Sequence, residues 1–149
     1  MTEIVRTTPI GLARYAREYF DAALAADDVI GRRKGYETSA PPPVMFLVAH
    51  SIELALKAYL LDCGLTLEKV TSIGHNLITC WSEADKRDLG QHVSLTGVDF
   101  EVLNLINTLH VSTELRYIRA GYKEVPAFGP LQTLAEKLLN TICPLVGYR

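Results

Sequence analysis

The stretch from Val44 to Cys63 is apolar almost all the way round a helix, and Gly64 follows as a left-handed stop. A helix without a polar face has to be surrounded. Its longest unbroken apolar run, Val44 to Ala49, is far short of the ~18 residues that mark a membrane span. Protein, not lipid, is therefore the expected surround, and the rest of the chain should supply helices to cover it. A length of 149 residues suits one domain, 1–149, with one core.

The remaining segments also have helical period, and none alternates as a strand does. Thr8 and Pro9 start a first helix as cap and first helical residue. Leu12, Ala16, Tyr19, Phe20 and Ala23 gather on its inner face, with Arg14–Glu18 and Arg17–Asp21 pairs on the outer one. Residues 31–43 break the pattern with glycines, prolines and the basic run Arg32-Arg33-Lys34, which reads as a flexible loop. Thr66 caps a short turn, and Gly74-His75-Asn76 opens a helix with the stripe Leu77, Cys80, Trp81 and Ala84, closed by Gly90. A further helix starts at Asp99 as N-cap and runs to Ala120, with Val102, Leu105, Ile106, Leu109, Thr113, Tyr117 and Ala120 inward. The last spans Pro130 to Ile142. About five helices and short turns give an all-α, antiparallel up-and-down bundle.

Charge and cysteine usage narrow the function classes. Fifteen Lys and Arg against seventeen Asp and Glu give a net charge of -2, which excludes holding nucleic acid by bulk charge. Cys63, Cys80 and Cys143 are odd in number, lack metal-ligand spacing and sit among apolar neighbours. They read as small buried hydrophobes in a reducing, cytoplasmic setting, with no metal and no cofactor expected. The start Met1-Thr2-Glu3-Ile4 lacks the pattern of a signal peptide. Phosphate loops, dinucleotide fingerprints, zinc-protease helices and nucleophile elbows are absent from the sequence.

What stands out is a small polar set. His50, Glu53 and Lys57 are spaced by three and four, within an arc of about 60° on the apolar helix. They form either a rim stripe that reaches water or a polar site inside the bundle. Arg116 falls in the inner stripe of its helix and needs a carboxylate or a route to solvent. The candidate cluster is Glu53, Lys57, His75, Asn76 and Arg116, with an Arg116–Glu53 pair expected. Arg32, Arg33, Lys34 and Arg119 are candidate phosphate contacts. Such a cluster can neutralise a phosphodiester and move its proton, or it can fix helix register.

The run from Ala49 to Leu61, then Gly64, Gly74-His75-Asn76-Leu77 and Leu115-Arg116-Tyr117, resembles the HEPN family (higher eukaryotes and prokaryotes nucleotide-binding). The resemblance implies a helical bundle that forms homodimers with the functional cleft between protomers. Many members are metal-independent ribonucleases of toxin–antitoxin, phage-defence or RNA-processing systems; others bind nucleotides, RNA or proteins without catalysis. Ribonuclease members carry an Arg, a polar residue after it, and a His beyond a spacer of about four to six residues. Here Arg116 matches the Arg, but Tyr117 follows it and Gly121, Tyr122 and Lys123 fill the window, without histidine. His110 precedes Arg116.

Three readings follow. One is a non-catalytic or altered-site HEPN-like dimer that binds RNA or nucleotide in a prokaryotic stress or defence setting. Another is an interaction module for a partner such as a nucleotidyltransferase-like antitoxin. The third is an endoribonuclease in which His75 or His50 replaces the missing histidine. The Val44–Cys63 helix and Trp81 are expected to leave apolar surface for a dimer.

Overall fold

A computed structural model describes residues 7–112 and 125–149. Six α-helices follow one another in it: α1 (Pro9–Ile30), α2 (Pro42–Asp62), α3 (Leu67–Ser72), α4 (Leu77–Asp85), α5 (Gly97–Val111) and α6 (Phe128–Leu145). The described residues include no strand, so the all-α bundle expected from periodicity is the fold. α2 is its centre and packs against α1, α3, α4, α5 and α6. It has the length and hydropathy of a membrane span, yet most of it is buried by these neighbours. The buried side chains form one continuous core.

The helix ends follow local rules. The Thr8 hydroxyl accepts from the Gly11 N–H at 3.0 Å, and Pro9 fills the first helical position of α1. Small residues let α1 approach α2 closely: Ala13, Ala16 and Ala23 are buried, and the Ser51 hydroxyl donates to the Ala16 carbonyl at 2.7 Å. Gly64, at φ 101°, closes α2 with bonds from Leu65 N to Leu60 O and from Gly64 N to Leu61 O. This pair of bonds is the Schellman closure, and its left-handed residue favours glycine.

Several expectations need correction. The loop after α1 is shorter than 31–43, because Pro42 and Pro43 open α2, where a missing N–H is harmless. Tyr19 is exposed, and Ala13 takes the inward position. Arg17 donates to Asn140 on α6 at 3.0 Å rather than pairing with Asp21. Cys63 is exposed because it caps the end of α2, beyond the packed turns, whereas Cys80 and Cys143 are buried. α4 ends at Asp85, well before Gly90, and left-handed Asp88 then leads into a 3-10 turn. The N-cap of α5 is Thr96, with Asp99 as the third residue of a capping box. Leu103 and His110 are buried on α5, and Leu105 is only partly so. α6 exceeds its expected span at both ends and buries Leu139 and Cys143 as well. The covering of α2 and the burial of Trp81 remove the expected source of apolar surface for a dimer. The continuation of α5 to Ala120, with Thr113, Tyr117, Arg116 and Arg119, lies outside the described residues.

Candidate functional site

Glu53 sits in the middle of α2, where the helix has no unpaired N–H for a carboxylate to cap. It is 3% exposed. A carboxylate there would be costly unless every oxygen were served, and this one is served from three elements. Lys57, one turn on, donates from Nζ to Oε2 at 2.9 Å. His75, between α3 and α4, reaches Oε1 and Oε2 from Nδ1 at 2.9 and 3.2 Å. His110, in the last turn of α5, reaches Oε1 from Nε2 at 2.8 Å. The two imidazoles meet edge to face, with centroids 5.7 Å apart.

The electrostatics follow from these contacts. Burial pushes the Glu53 carboxyl up, but hydrogen bonds from His110, Lys57 and His75 outweigh it and hold the group at about 2. Glu53 is thus an ionised acceptor, so each ring nitrogen facing it carries the proton. For His75 this assigns Nδ1–H to Glu53 and leaves Nε2 for another partner. The side chain of His75 is 54% exposed, so that nitrogen belongs to the accessible edge of the cluster. His110, by contrast, is 3% exposed.

The corner that carries His75 is built independently of Glu53. Gly74 adopts φ 71°, a conformation glycine takes without strain, and turns the chain into His75. Asn76 then caps α4, its Oδ1 accepting from Thr79 N at 3.0 Å. Asn107 on α5 locks the corner, accepting from Leu77 N at 2.7 Å and donating to Asn76 Oδ1 at 3.3 Å. Asn76 is therefore a capping residue next to the cluster.

Of the expected cluster, Glu53, Lys57 and His75 come together as a polar site inside the bundle. His50, the third residue of the stripe, turns to aromatic rings instead: Tyr19 at 4.5 Å and Phe46 at 6.2 Å between centroids. The pairing of Arg116 with Glu53 falls outside the described residues, as does Arg119. Arg32, Arg33 and Lys34 are exposed in the turn before α2, and Arg32 is ion-paired with Asp28 at 2.7 Å. Glu53 lies about 17 Å further along, at 1.5 Å per residue from Pro42. Burial pushes the Cys80 thiol up to about 12, which makes it an inert core group.

His110 and Asn107 are the functional residues that periodicity missed. His110 is four residues from Ile106 and seven from Leu103, both fully buried, so it lies on the true inner face of α5. Chemically, the arrangement pairs a buried carboxylate with an exposed imidazole. The carboxylate fixes the imidazole's tautomer, leaving Nε2 to exchange a proton with a ligand or to hydrogen-bond it.

Comparison with known proteins adds no relative: no family model, no curated protein and no solved structure matches the chain.

Proposed function

We propose that this chain is a HEPN-like bundle, an altered-site member that binds the phosphates of RNA or a nucleotide at the exposed edge of the Glu53 cluster. The observation that carries the reading is the Glu53–His75 pair, in which a buried carboxylate takes Nδ1 and Nε2 is left to a ligand. Lys57 balances the Glu53 charge, so no net negative charge of the pair opposes a phosphate at this edge. The same pair favours a second reading, a metal-independent endoribonuclease. There His75 takes the proton of the ribose 2′-hydroxyl in place of the histidine missing after Arg116.

The family likeness adds a homodimer, a prokaryotic stress or defence setting and a nucleotidyltransferase-like partner to this proposal, and the cysteine usage adds a cytoplasmic location. Apolar surface for the dimer comes from Tyr15 and Tyr19, one turn apart on α1. The test is fluorescence anisotropy on labelled single-stranded RNA in chelator, across a salt series. Wild type should bind with an affinity that falls as salt rises, and His75→Ala should weaken it at least fivefold. Equal affinities of the two proteins would remove the site. Cleavage by wild type and not by His75→Ala would select the ribonuclease reading.

A further inference from the structure

Glu53 receives more than its charge requires. Lys57 alone balances the carboxylate in an i,i+4 pair. Two imidazoles from separate elements nevertheless converge on the same oxygen, Oε1, at 2.8 and 2.9 Å. The donor atoms of Glu53, His75 and His110 all lie within 4.8 Å of one another.

We propose that Glu53, His75 and His110 form a binding site for a divalent ion of the zinc class, ligated by Glu53 Oε1, His75 Nδ1 and His110 Nε2. Two histidines and one carboxylate are a recurrent zinc set, with bonds of about 2.0–2.2 Å. Tetrahedral bonds of that length place neighbouring donors about 3.3 Å apart, so each nitrogen-to-Oε1 distance opens by roughly half an ångström. The side chain of His75, more than half exposed, can open its own distance and provides the entry path, while a small turn of the Glu53 carboxylate opens the distance to buried His110. Each ring coordinates through the nitrogen that now faces Glu53, whose proton leaves to water while the ring's other nitrogen takes one up, so the exchange releases no net proton.

The surroundings match a site with an open position. Lys57 keeps Oε2, which leaves Glu53 a one-oxygen ligand held from behind. The Gly74 turn and the Asn76–Asn107 lock hold the His75 corner in place. Three protein ligands then leave a fourth place for water or an anion, the pattern of zinc that acts rather than braces. Two nitrogens and one oxygen, without thiolate, select Zn²⁺, Co²⁺, Ni²⁺ or Cu²⁺ over Mg²⁺ and Ca²⁺, which take oxygen sets.

The inference stands apart from RNA binding, because its readout contains no nucleic acid. The test is calorimetric titration of Zn²⁺ into the metal-stripped full chain carrying Cys63→Ser, which removes the exposed thiol. Co²⁺ serves as a spectroscopic probe of geometry. One ion per chain is expected, with tetrahedral or five-coordinate cobalt absorption and affinity at least tenfold weaker in His75→Ala. His110→Gln, checked for native helicity by circular dichroism, should also lose binding. Absence of stoichiometric uptake would overturn the proposal, as would uptake equal in wild type and His75→Ala. Loss of RNA binding in chelator leaves this titration unaffected, so the two ideas fail separately.

Discussion

Glu53 and Asp99 are both carboxylates, both 3% exposed, and both joined to a lysine. Their remaining partners differ. Asp99 accepts from the backbone N–H of Thr96 at 2.8 Å, while its own N–H donates to the Thr96 hydroxyl at 3.1 Å. Lys137 adds a tie to α6. Each of those contacts is explained by a helix start that needs its N–H groups satisfied and by a neighbour that needs positioning. Glu53 has no such backbone task. Its partners are side chains from α2, the α3–α4 corner and α5, and one of them is half in water. A buried carboxylate whose contacts exceed its structural need is the better place to look for function. Asp99 provides the internal control.

The largest expected effect separates the two directly. Glu53→Ala removes the acceptor for three donors and leaves the Lys57 charge without its partner. It should cost about 3–5 kcal/mol. Asp99→Asn keeps a cap acceptor and loses charge only toward Lys137, whose side chain is one-third exposed, so about 1–2 kcal/mol is expected. Urea midpoints of the two variants give the comparison. Equal costs would place Glu53 among ordinary struts.

Acid should unfold the Glu53 side of this comparison with a predictable sign. Its carboxyl is lowered from 4.5 to about 2, so the stability it contributes is full above pH 4.5 and is lost as pH falls toward 2. The loss amounts to roughly 3 kcal/mol. Asp99 shifts the same way, held down by Lys137 and Thr96 against burial, so it loses stability as pH falls below its ordinary 3.8. Urea titrations in chelator across pH 2–5 should show a slope that loses more of its steepness in Glu53→Gln than in Asp99→Asn. A slope unchanged by Glu53→Gln would assign acid sensitivity elsewhere.

Much of the frame was legible in the sequence, and the errors have physical causes. The stripe Leu77, Cys80, Trp81 and Ala84 matches the buried face of α4 because polar residues flank it on both sides. Glu101, Asn104 and Thr108 mark the outer face of α5, but the apolar arc opposite them is wider than one packed face, so period alone does not choose between its Leu105 and Leu103 edges. The expected face of Val102, Leu105, Ile106 and Leu109 is rotated by roughly 50° from the buried one of Val102, Leu103, Ile106, Leu109 and His110. Asp99 looked like a cap because a carboxylate serves equally well at the N-cap and at the third position. The approach of Glu53 and Lys57 followed from their spacing. Convergence of His75 and His110 did not, because they are separated by a whole helix and a loop, and only packing brings them to one oxygen.

The smallest stability effect carries the most functional meaning. His75 and His110 donate to the same Glu53 oxygen at nearly equal distances, so a purely structural network would feel the loss of either. Their environments predict otherwise. His110→Ala opens a hole in the core and strands a hydrogen bond to a charged group, for about 2–3 kcal/mol. His75→Ala removes a side chain more than half in solvent, where water can replace its bond to Glu53, for under about 1 kcal/mol. Thermal melts of the two variants, run beside the RNA and Zn²⁺ titrations, order these effects. A His75→Ala protein that melts like wild type but loses ligand makes this edge of the Glu53 cluster a binding surface. A His75→Ala protein as unstable as His110→Ala would make His75 one more strut, and the contrast with Asp99 would collapse.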